Sequence, residues 1–157
     1  MKSFAACFIA LIIGAQFAAA ETLILWSPLA KACGANGYPY RAGYTLEALP
    51  TEDMASVNER LGSAISKARS EGATNVDKAI VPSAQCIAVA HMDKQVGSCG
   101  WRTFTWKIAK DEATARADVE KVLRNEVNVK SSMVQEVRCA NPPKPPRETY
   151  SAGGIRG

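Results

Sequence analysis

The chain contains 157 residues, of which 47% are hydrophobic, and its formal net charge is +4. Once the N-terminal segment described below is set aside, the remaining length fits one domain with its own hydrophobic core. The basic residues are scattered, so the concentrated basic face of a nucleic-acid-binding protein is not predicted. After that first segment, no stretch is apolar for long enough to cross a membrane.

Residues 1–20 have the pattern of a secretory signal peptide. Lys2 supplies a positive start, residues 4–17 are almost wholly apolar, and three alanines at 18–20 offer a cleavage site. An uncleaved membrane anchor is the alternative, but the apolar run is short for a span of about 20 residues and is interrupted by a glycine and a glutamine. We therefore predict export to the periplasm or the extracellular space, with no stable membrane insertion after cleavage.

The remaining chain carries several features twice, in the same order. An Asn-Val pair, followed by nine residues and a cysteine, occurs twice. Upstream of each copy lie a Cys-Gly pair and then an aromatic-rich segment. We interpret these recurrences as tandem repeats, repeat one at residues 21–86 and repeat two at residues 87–139. The matching positions are 33–34 with 99–100, 40–46 with 101–106, and 75–86 with 128–139.

Repeat one predicts two strands, a helix and a third strand. The first two strands form a hairpin whose long loop carries Cys33. Thr51 offers a hydroxyl suited to the helix cap, acids follow it in the first turn, and Gly72 is expected to end the helix. The predicted strands are 22–26, 40–46 and 76–81. The helix has one apolar stripe, formed by Met54, Val57, Leu61, Ala64, Ile65 and Ala68.

Repeat two predicts the same plan in fewer residues. Asp111 is expected to cap its helix. The predicted strands are 86–92, 101–108 and 133–138. The apolar side of the helix comprises Ala115, Val119, Val122, Leu123 and Val127.

One such unit has too small a core to stand alone, so we predict that the two repeats share a sheet. The expected fold is α+β, with one mixed sheet, both helices on one of its faces and the other face free of helices. The crossover through each helix should be right-handed and leave its flanking strands parallel.

Four cysteines follow the signal peptide, and an even number in an exported chain favours two disulfides. In the predicted topology Cys33 and Cys99 lie at hairpin tips, whereas Cys86 and Cys139 end the third strands. Because bridged Cα atoms lie within about 7 Å, like should pair with like, linking one repeat to the other. We therefore predict Cys33–Cys99 and Cys86–Cys139. A four-thiolate zinc site lacks the usual close Cys-x-x-Cys pairs, and no metal or cofactor is predicted.

Residues 140–157 are rich in proline and glycine, which predicts a disordered tail. Pro142, Pro145 and Arg147 have the spacing that SH3-type grooves recognise. A solvated spacer is the alternative interpretation.

An aromatic residue followed by arginine occurs at the same point of both repeats, as Tyr40-Arg41 and Trp101-Arg102. Adjacent strand residues point to opposite faces, so one member of each pair would lie on the helix-free face. Aromatic residues and arginine are favoured at binding hot spots, and these four are the candidate binding residues. Cross-strand packing with an exposed charge is the alternative.

No reactive set of side chains is apparent. His91 is the only histidine, and no serine lies in a nucleophile-elbow context. The acid pairs Glu52/Asp53 and Asp111/Glu112 fall at helix starts, where capping and the helix dipole account for them. We therefore expect a non-catalytic protein.

Three hypotheses about function follow. The first is an exported, monomeric binding or inhibitor-like module of the cell envelope, whose partner is a protein or a glycan. The second is a small exported hydrolase that uses His91. The third is a secreted effector whose tail recruits a host signalling domain.

Overall fold

The computed structural model describes residues 20–33 and 37–142. Apart from Ala20, the predicted signal peptide lies outside the described residues, and so does the predicted tail beyond Pro142. The described part contains seven strands and two helices, in the order β1 (Thr22–Lys31), β2 (Pro39–Arg41), β3 (Thr45–Leu49), α1 (Met54–Ser70), β4 (Asn75–Val81), β5 (Cys86–Val96), β6 (Cys99–Ala109), α2 (Glu112–Asn125) and β7 (Val129–Cys139).

The two helices begin at aspartates. The Asp53 carboxylate accepts hydrogen bonds from the backbone N–H groups of Ala55 and Ser56, and Asp111 accepts one from Thr114 as predicted. The expected cap at Thr51 is wrong by two positions. A carboxylate can accept from two free N–H groups and also interacts favourably with the positive end of the helix dipole, which gives Asp53 the advantage over a hydroxyl.

The helix ends follow from local sequence as well. Gly72 follows α1 with a φ of 102°, a left-handed conformation that glycine adopts without steric cost, which agrees with the predicted stop. Helix α2 ends at Asn125, so Val127 lies beyond the helix to which its spacing had assigned it.

The first sheet is antiparallel, with β1 at its centre. Strand β4 pairs with one edge of β1, and β2 and β3 pair with the other. The expected strand 40–46 is therefore split, and its central residues 42–44 face only Ser27 and Pro28. Pro28 has no N–H to donate to a regular ladder, and the Ser27 hydroxyl instead donates to the carbonyl oxygen of Gly43.

The second sheet is also antiparallel, with β5 between β6 and β7. A two-residue turn joins β5 to β6, and its first residue, Gly97, has a φ of 58°. Two irregularities in the β5–β7 register lie between Val89 and Ala90 and between Asp93 and Lys94. Such bulges bend an edge strand and interrupt its regular ladder.

The two sheets pack face to face. One buried cluster contains Leu23 and Leu25 of β1 together with Ile87 and Val89 of β5. This cluster occupies the space between the sheets and forms the central core. Partly buried side chains from both sheets complete it, including Tyr44, Leu46, Ala48, Phe104, Trp106 and Ile108.

The helices cover the two outer faces. Ile24, which lies between Leu23 and Leu25 in β1, packs with Val57 and Leu61 of α1. In the second sheet, Cys86, Ala88 and Ala90 pack with Ala115 and Val119 of α2. The layers therefore run helix, sheet, sheet, helix.

This arrangement corrects the expected single mixed sheet with both helices on one face. Successive residues of a strand point to opposite faces, and β1 and β5 are buried and apolar at consecutive positions. A central strand that is apolar on both sides needs cover on both sides. One helix layer would have left the other face of the sheet exposed, and face-to-face packing of the two sheets removes that exposure.

Both disulfides pair as predicted, but only one of them connects the two sheets. Cys33 and Cys99, with Cα atoms 5.9 Å apart, join the loop after β1 to the start of β6 and so tie one sheet to the other. Cys86 and Cys139, 3.8 Å apart, join β5 to β7 within the second sheet. The expectation that Cys86 ends a third strand is wrong, because Cys86 begins β5, and the second bridge therefore lies within one sheet.

The first two residues of the predicted tail, Ala140 and Asn141, belong to the folded region. Ala140 is buried in the central core, and Asn141 is held at the start of the folded chain. The Asn141 carbonyl accepts a hydrogen bond from the backbone of Glu21, while the Glu21 carboxylate accepts from the Asn141 side chain. The two ends of the folded region are therefore hydrogen-bonded to each other.

Removing either disulfide should lower the free energy of unfolding by about 2–5 kcal/mol. The bridges close segments with sequence separations of 66 and 53, so each restricts the unfolded chain substantially. Urea denaturation of the Cys33→Ala/Cys99→Ala and Cys86→Ala/Cys139→Ala proteins measures the two losses. A non-reducing peptide map in which Cys33 is joined to Cys86 would contradict the pairing.

Candidate functional site

A cleft of about 420 Å³ opens beside the tip of the β5–β6 hairpin. Its volume lies within the range of about 300–1,000 Å³ that is usual for small-molecule sites. Three parts of the chain surround it: β2 with the residue before it, the end of the hairpin, and the connection from α2 to β7. We call this the hairpin cleft, and its lining comprises residues 38–41, Met92, Lys94, Val96, Trp101, residues 103–105 and residues 126–128.

The cleft exists because the hairpin is longer than the helix that covers it. Helix α2 packs over Cys86, Ala88 and Ala90 at the far end of β5, and it ends at Asn125. The strand continues to Val96, so the same face of the hairpin emerges beyond the helix. Strand β2 and the residues next to it close the space from the side of the first sheet.

Aromatic rings form one wall of the hairpin cleft. The ring of Tyr38 stacks on that of Trp101, with the centroids 5.8 Å apart and the planes inclined by 13°. Tyr38 is nevertheless 57% exposed. Because one of its faces packs on Trp101, its other face is directed to solvent.

Exposed apolar side chains collect at the same place. Among the described residues, five large hydrophobic side chains are exposed, and three of them, Tyr38, Val96 and Val127, line the hairpin cleft. Val127 is the most exposed of the five, at 69%. Isolated surface hydrophobic residues are ordinary, but a group of them around a concave site is a feature of binding sites.

The charged side chains of the cleft are paired within the protein. The Lys94 ammonium lies 2.5 Å from the Glu126 carboxylate, and the Arg41 guanidinium lies 2.7 Å from the carboxylate of Asp77. Lys94 and Arg41 are the two basic residues in the lining. The cleft therefore offers a ligand aromatic, aliphatic and neutral polar groups, with its positive charges already balanced.

Three of the four predicted binding residues, Tyr40, Arg41 and Trp101, line the hairpin cleft. They come together at one site, not at two matching sites on an open sheet face. Where the two sheets pack on each other, the expected helix-free face is not open to solvent. That these residues bind a ligand stays a prediction.

Arg102 lies away from the cleft. It follows Trp101 along β6 and points to the opposite face, where it donates two hydrogen bonds to Asp93 at 2.7 and 3.0 Å. The hydrogen bond from Arg102, with another from Ser131, holds the pKa of Asp93 well below its usual range. Arg102 therefore belongs to an exposed ion pair of the second sheet.

Arg41 fastens the two sheets together. Its Nε donates to Asp77 of β4 at 2.7 Å, and its Nη1 donates to the carbonyl oxygen of Phe104 at 3.4 Å. The guanidinium also lies 4.4 Å from the centre of the Trp106 ring. These contacts support the packing interpretation of Arg41, and they also cover part of the free edge of β6.

His91 lies in the core between the sheets. It is 7% exposed, and its ring centroid is 6.3 Å from that of Phe104. Its Nδ1 atom has no hydrogen-bond partner among the described residues. No carboxylate among the described residues accepts a hydrogen bond from that nitrogen.

Several contributors to the cleft escaped the sequence analysis, Tyr38 and the Lys94–Glu126 pair among them. Tyr38 precedes Tyr40 by two positions, and the alternation of an extended segment would have placed both on one face. The Lys94–Glu126 pair joins residues 32 positions apart, and nothing in the local sequence relates them.

The two arginines give a matched pair of variants. Arg41→Met should lower the free energy of unfolding by about 1–2 kcal/mol, because it removes a solvent-screened ion pair, a cation–π contact and a hydrogen bond between sheets. Arg102→Met should have a smaller effect, because the Arg102 side chain is more exposed than that of Arg41 and its partner belongs to the same sheet. Urea denaturation of both variants measures the difference, and equal losses would contradict the role assigned to Arg41.

Tyr44 gives a prediction for alkaline pH. Burial, then the charge of Glu136 and the hydrogen bond to it, raise the pKa of Tyr44 from 10.0 to about 12. A raised pKa in the folded state stabilises the protein fully below pH 10, and this contribution is lost as the pH rises from about 10 to about 12. A tyrosinate absorbance titration of the folded protein should show a late component that disappears in Tyr44→Phe. An unchanged titration curve in that variant would contradict the assignment.

No protein-family model matches this chain, and no curated protein or solved structure shows significant similarity to it. Within the described residues, neither helix is long and apolar enough to span a membrane. The same residues contain no cluster of three or more histidine, cysteine, aspartate or glutamate side chains that could hold a metal ion. The two disulfides are consistent with an oxidising compartment.

Proposed function

We propose that this protein is an exported, non-catalytic binding module of the cell envelope, and that its ligand, a protein or a glycan, binds in the hairpin cleft. The observation that carries the proposal is the gathering of Tyr38, Val96 and Val127 around one concave site next to Trp101. Exposing these side chains to water is unfavourable, and a bound partner would remove part of that cost.

The rigidity of the cleft supports this proposal. The Cys33–Cys99 bridge joins the loop before β2 to the start of β6, so two walls of the cleft are connected by a covalent bond. The Lys94–Glu126 ion pair connects the hairpin to the segment after α2. A site that is already ordered loses less conformational entropy when a ligand binds.

Export is supported by two features of the chain. The first 20 residues have the pattern of a signal peptide, and four of the five cysteines form disulfides that persist in oxidising compartments. A non-catalytic role is supported by the burial of His91 between the sheets and by the pairing of the charged groups in the cleft.

We also propose that the two halves arose by duplication of one unit. Each half has a central strand with antiparallel neighbours on both edges, and a helix connects the two outer strands along the chain. In this proposal the first half ends near Val81 and the second begins at Cys86. Cys86 then begins the second unit, whereas Cys139 ends it, so the two cysteines do not occupy equivalent positions.

The experiment that tests the binding role compares a variant that loses exposed apolar side chains in the cleft with a variant that loses one outside it. The immobilised parent protein, Tyr38→Ala/Val127→Ser and Met133→Ala are incubated with periplasmic and cell-surface extract, and the retained components are identified and quantified. Met133 is the control because it is 57% exposed and lies outside the cleft.

The loss of a binding hot spot costs about 2 kcal/mol, or roughly thirty-fold in affinity. We therefore expect the cleft variant to lose at least one component that the parent and the Met133→Ala protein retain. Identical retention by all three proteins would remove the hairpin cleft as the binding site.

A further inference from the structure

The hairpin cleft has the chemistry to recognise one class of ligand. This step rests on the proposed binding function and adds the ligand class to it. We propose that the cleft binds an uncharged oligosaccharide of β-linked pyranose units, with a sugar ring lying on the open face of Tyr38.

The first reason is the geometry of the aromatic wall. Tyr38 is supported from behind by Trp101 and directs its free face to solvent beside the cleft. A β-linked pyranose whose ring substituents are mostly equatorial has flat faces of C–H groups, which pack on an aromatic ring. Apolar packing of this kind and the hydrophobic contact with Val96 and Val127 need no charge on the ligand.

The second reason is the charge balance. The cations that line the cleft, Arg41 and Lys94, have carboxylate partners at 2.7 and 2.5 Å. An anionic ligand would have to displace one of those partners before it gained a comparable interaction. A neutral ligand leaves both ion pairs intact and still finds polar residues in the lining, namely Thr103, Thr105 and Asn128.

The third reason is that the usual ways of holding a peptide are blocked here. An extended peptide could add to the β6 edge, but β2 already lies against that edge, where the Arg41 N–H donates to Thr103 and its guanidinium donates to the Phe104 carbonyl. A proline-rich ligand with a basic residue would need an acidic partner. Glu126 is the acidic residue in the lining, and it is paired with Lys94.

The test uses defined sugars and the full exported chain. Cellotriose and N,N′,N″-triacetylchitotriose serve as neutral β-linked probes, and a trimer of β-linked mannuronic acid serves as an anionic probe of similar length. Binding is measured by isothermal titration calorimetry and by tryptophan fluorescence, because Trp101 is the tryptophan that lines the cleft.

We expect the parent to bind at least one neutral trimer, with an affinity that changes little with salt because the ligand carries no charge. Tyr38→Ala should weaken binding about two- to ten-fold, since an aromatic packing contact is worth about 0.5–1.5 kcal/mol. Met133→Ala should bind like the parent. Trp26→Phe should keep both the calorimetric binding and the fluorescence change, because Trp26 lies outside the cleft lining.

Three results would overturn the proposal. These are the absence of binding to both neutral trimers, tighter binding of the anionic trimer, or unchanged binding by Tyr38→Ala. If neutral sugars fail while the cleft variant still loses a protein from envelope extract, the ligand is a protein and the binding function survives. If neither sugars nor envelope components depend on the cleft, both proposals fail together.

Discussion

The structure depends on two strands that are apolar on both faces. In β1 the consecutive residues Leu23, Ile24 and Leu25 are all fully buried, and β5 continues this pattern from Ile87 to Ala90. Such strands must be covered from both sides. One helix packs on the outer face of each sheet, and the other sheet covers its inner face. The central core therefore forms only when both halves are present.

The cleft is a consequence of that packing. The sheets are in contact along their inner faces, and α2 covers the outer face of the second sheet only as far as its own end at Asn125. The β5–β6 hairpin extends beyond the helix, and Cys33–Cys99 holds the first sheet's loop beside it. A concave site with an aromatic wall is therefore formed where two sheets and a helix end meet, which is a common setting for binding sites.

Local features of the sequence predicted local structure well. Aspartates at helix starts, a glycine after α1 and extended segments between turns gave both helices and most strands, because each depends on neighbouring residues. The layering was mispredicted, although the unbroken apolar run at Leu23 to Leu25 carried the signal for burial on both faces. The recurrence in the sequence identified Tyr40 and Trp101 as matching positions. The Arg41–Asp77 pair joins residues 36 positions apart, so it follows only from the fold.

The central claim is that β1 and β5 pack on each other with the helices outside. Methyl-to-methyl nuclear Overhauser effects measured on the folded protein test it most directly. The four-layer arrangement predicts cross-peaks between Leu25 and Val89, whose side chains share the central core, and none between Val57 of α1 and Val119 of α2. Cross-peaks between the two helices, with none between Leu25 and Val89, would show a shared helix layer and contradict the account.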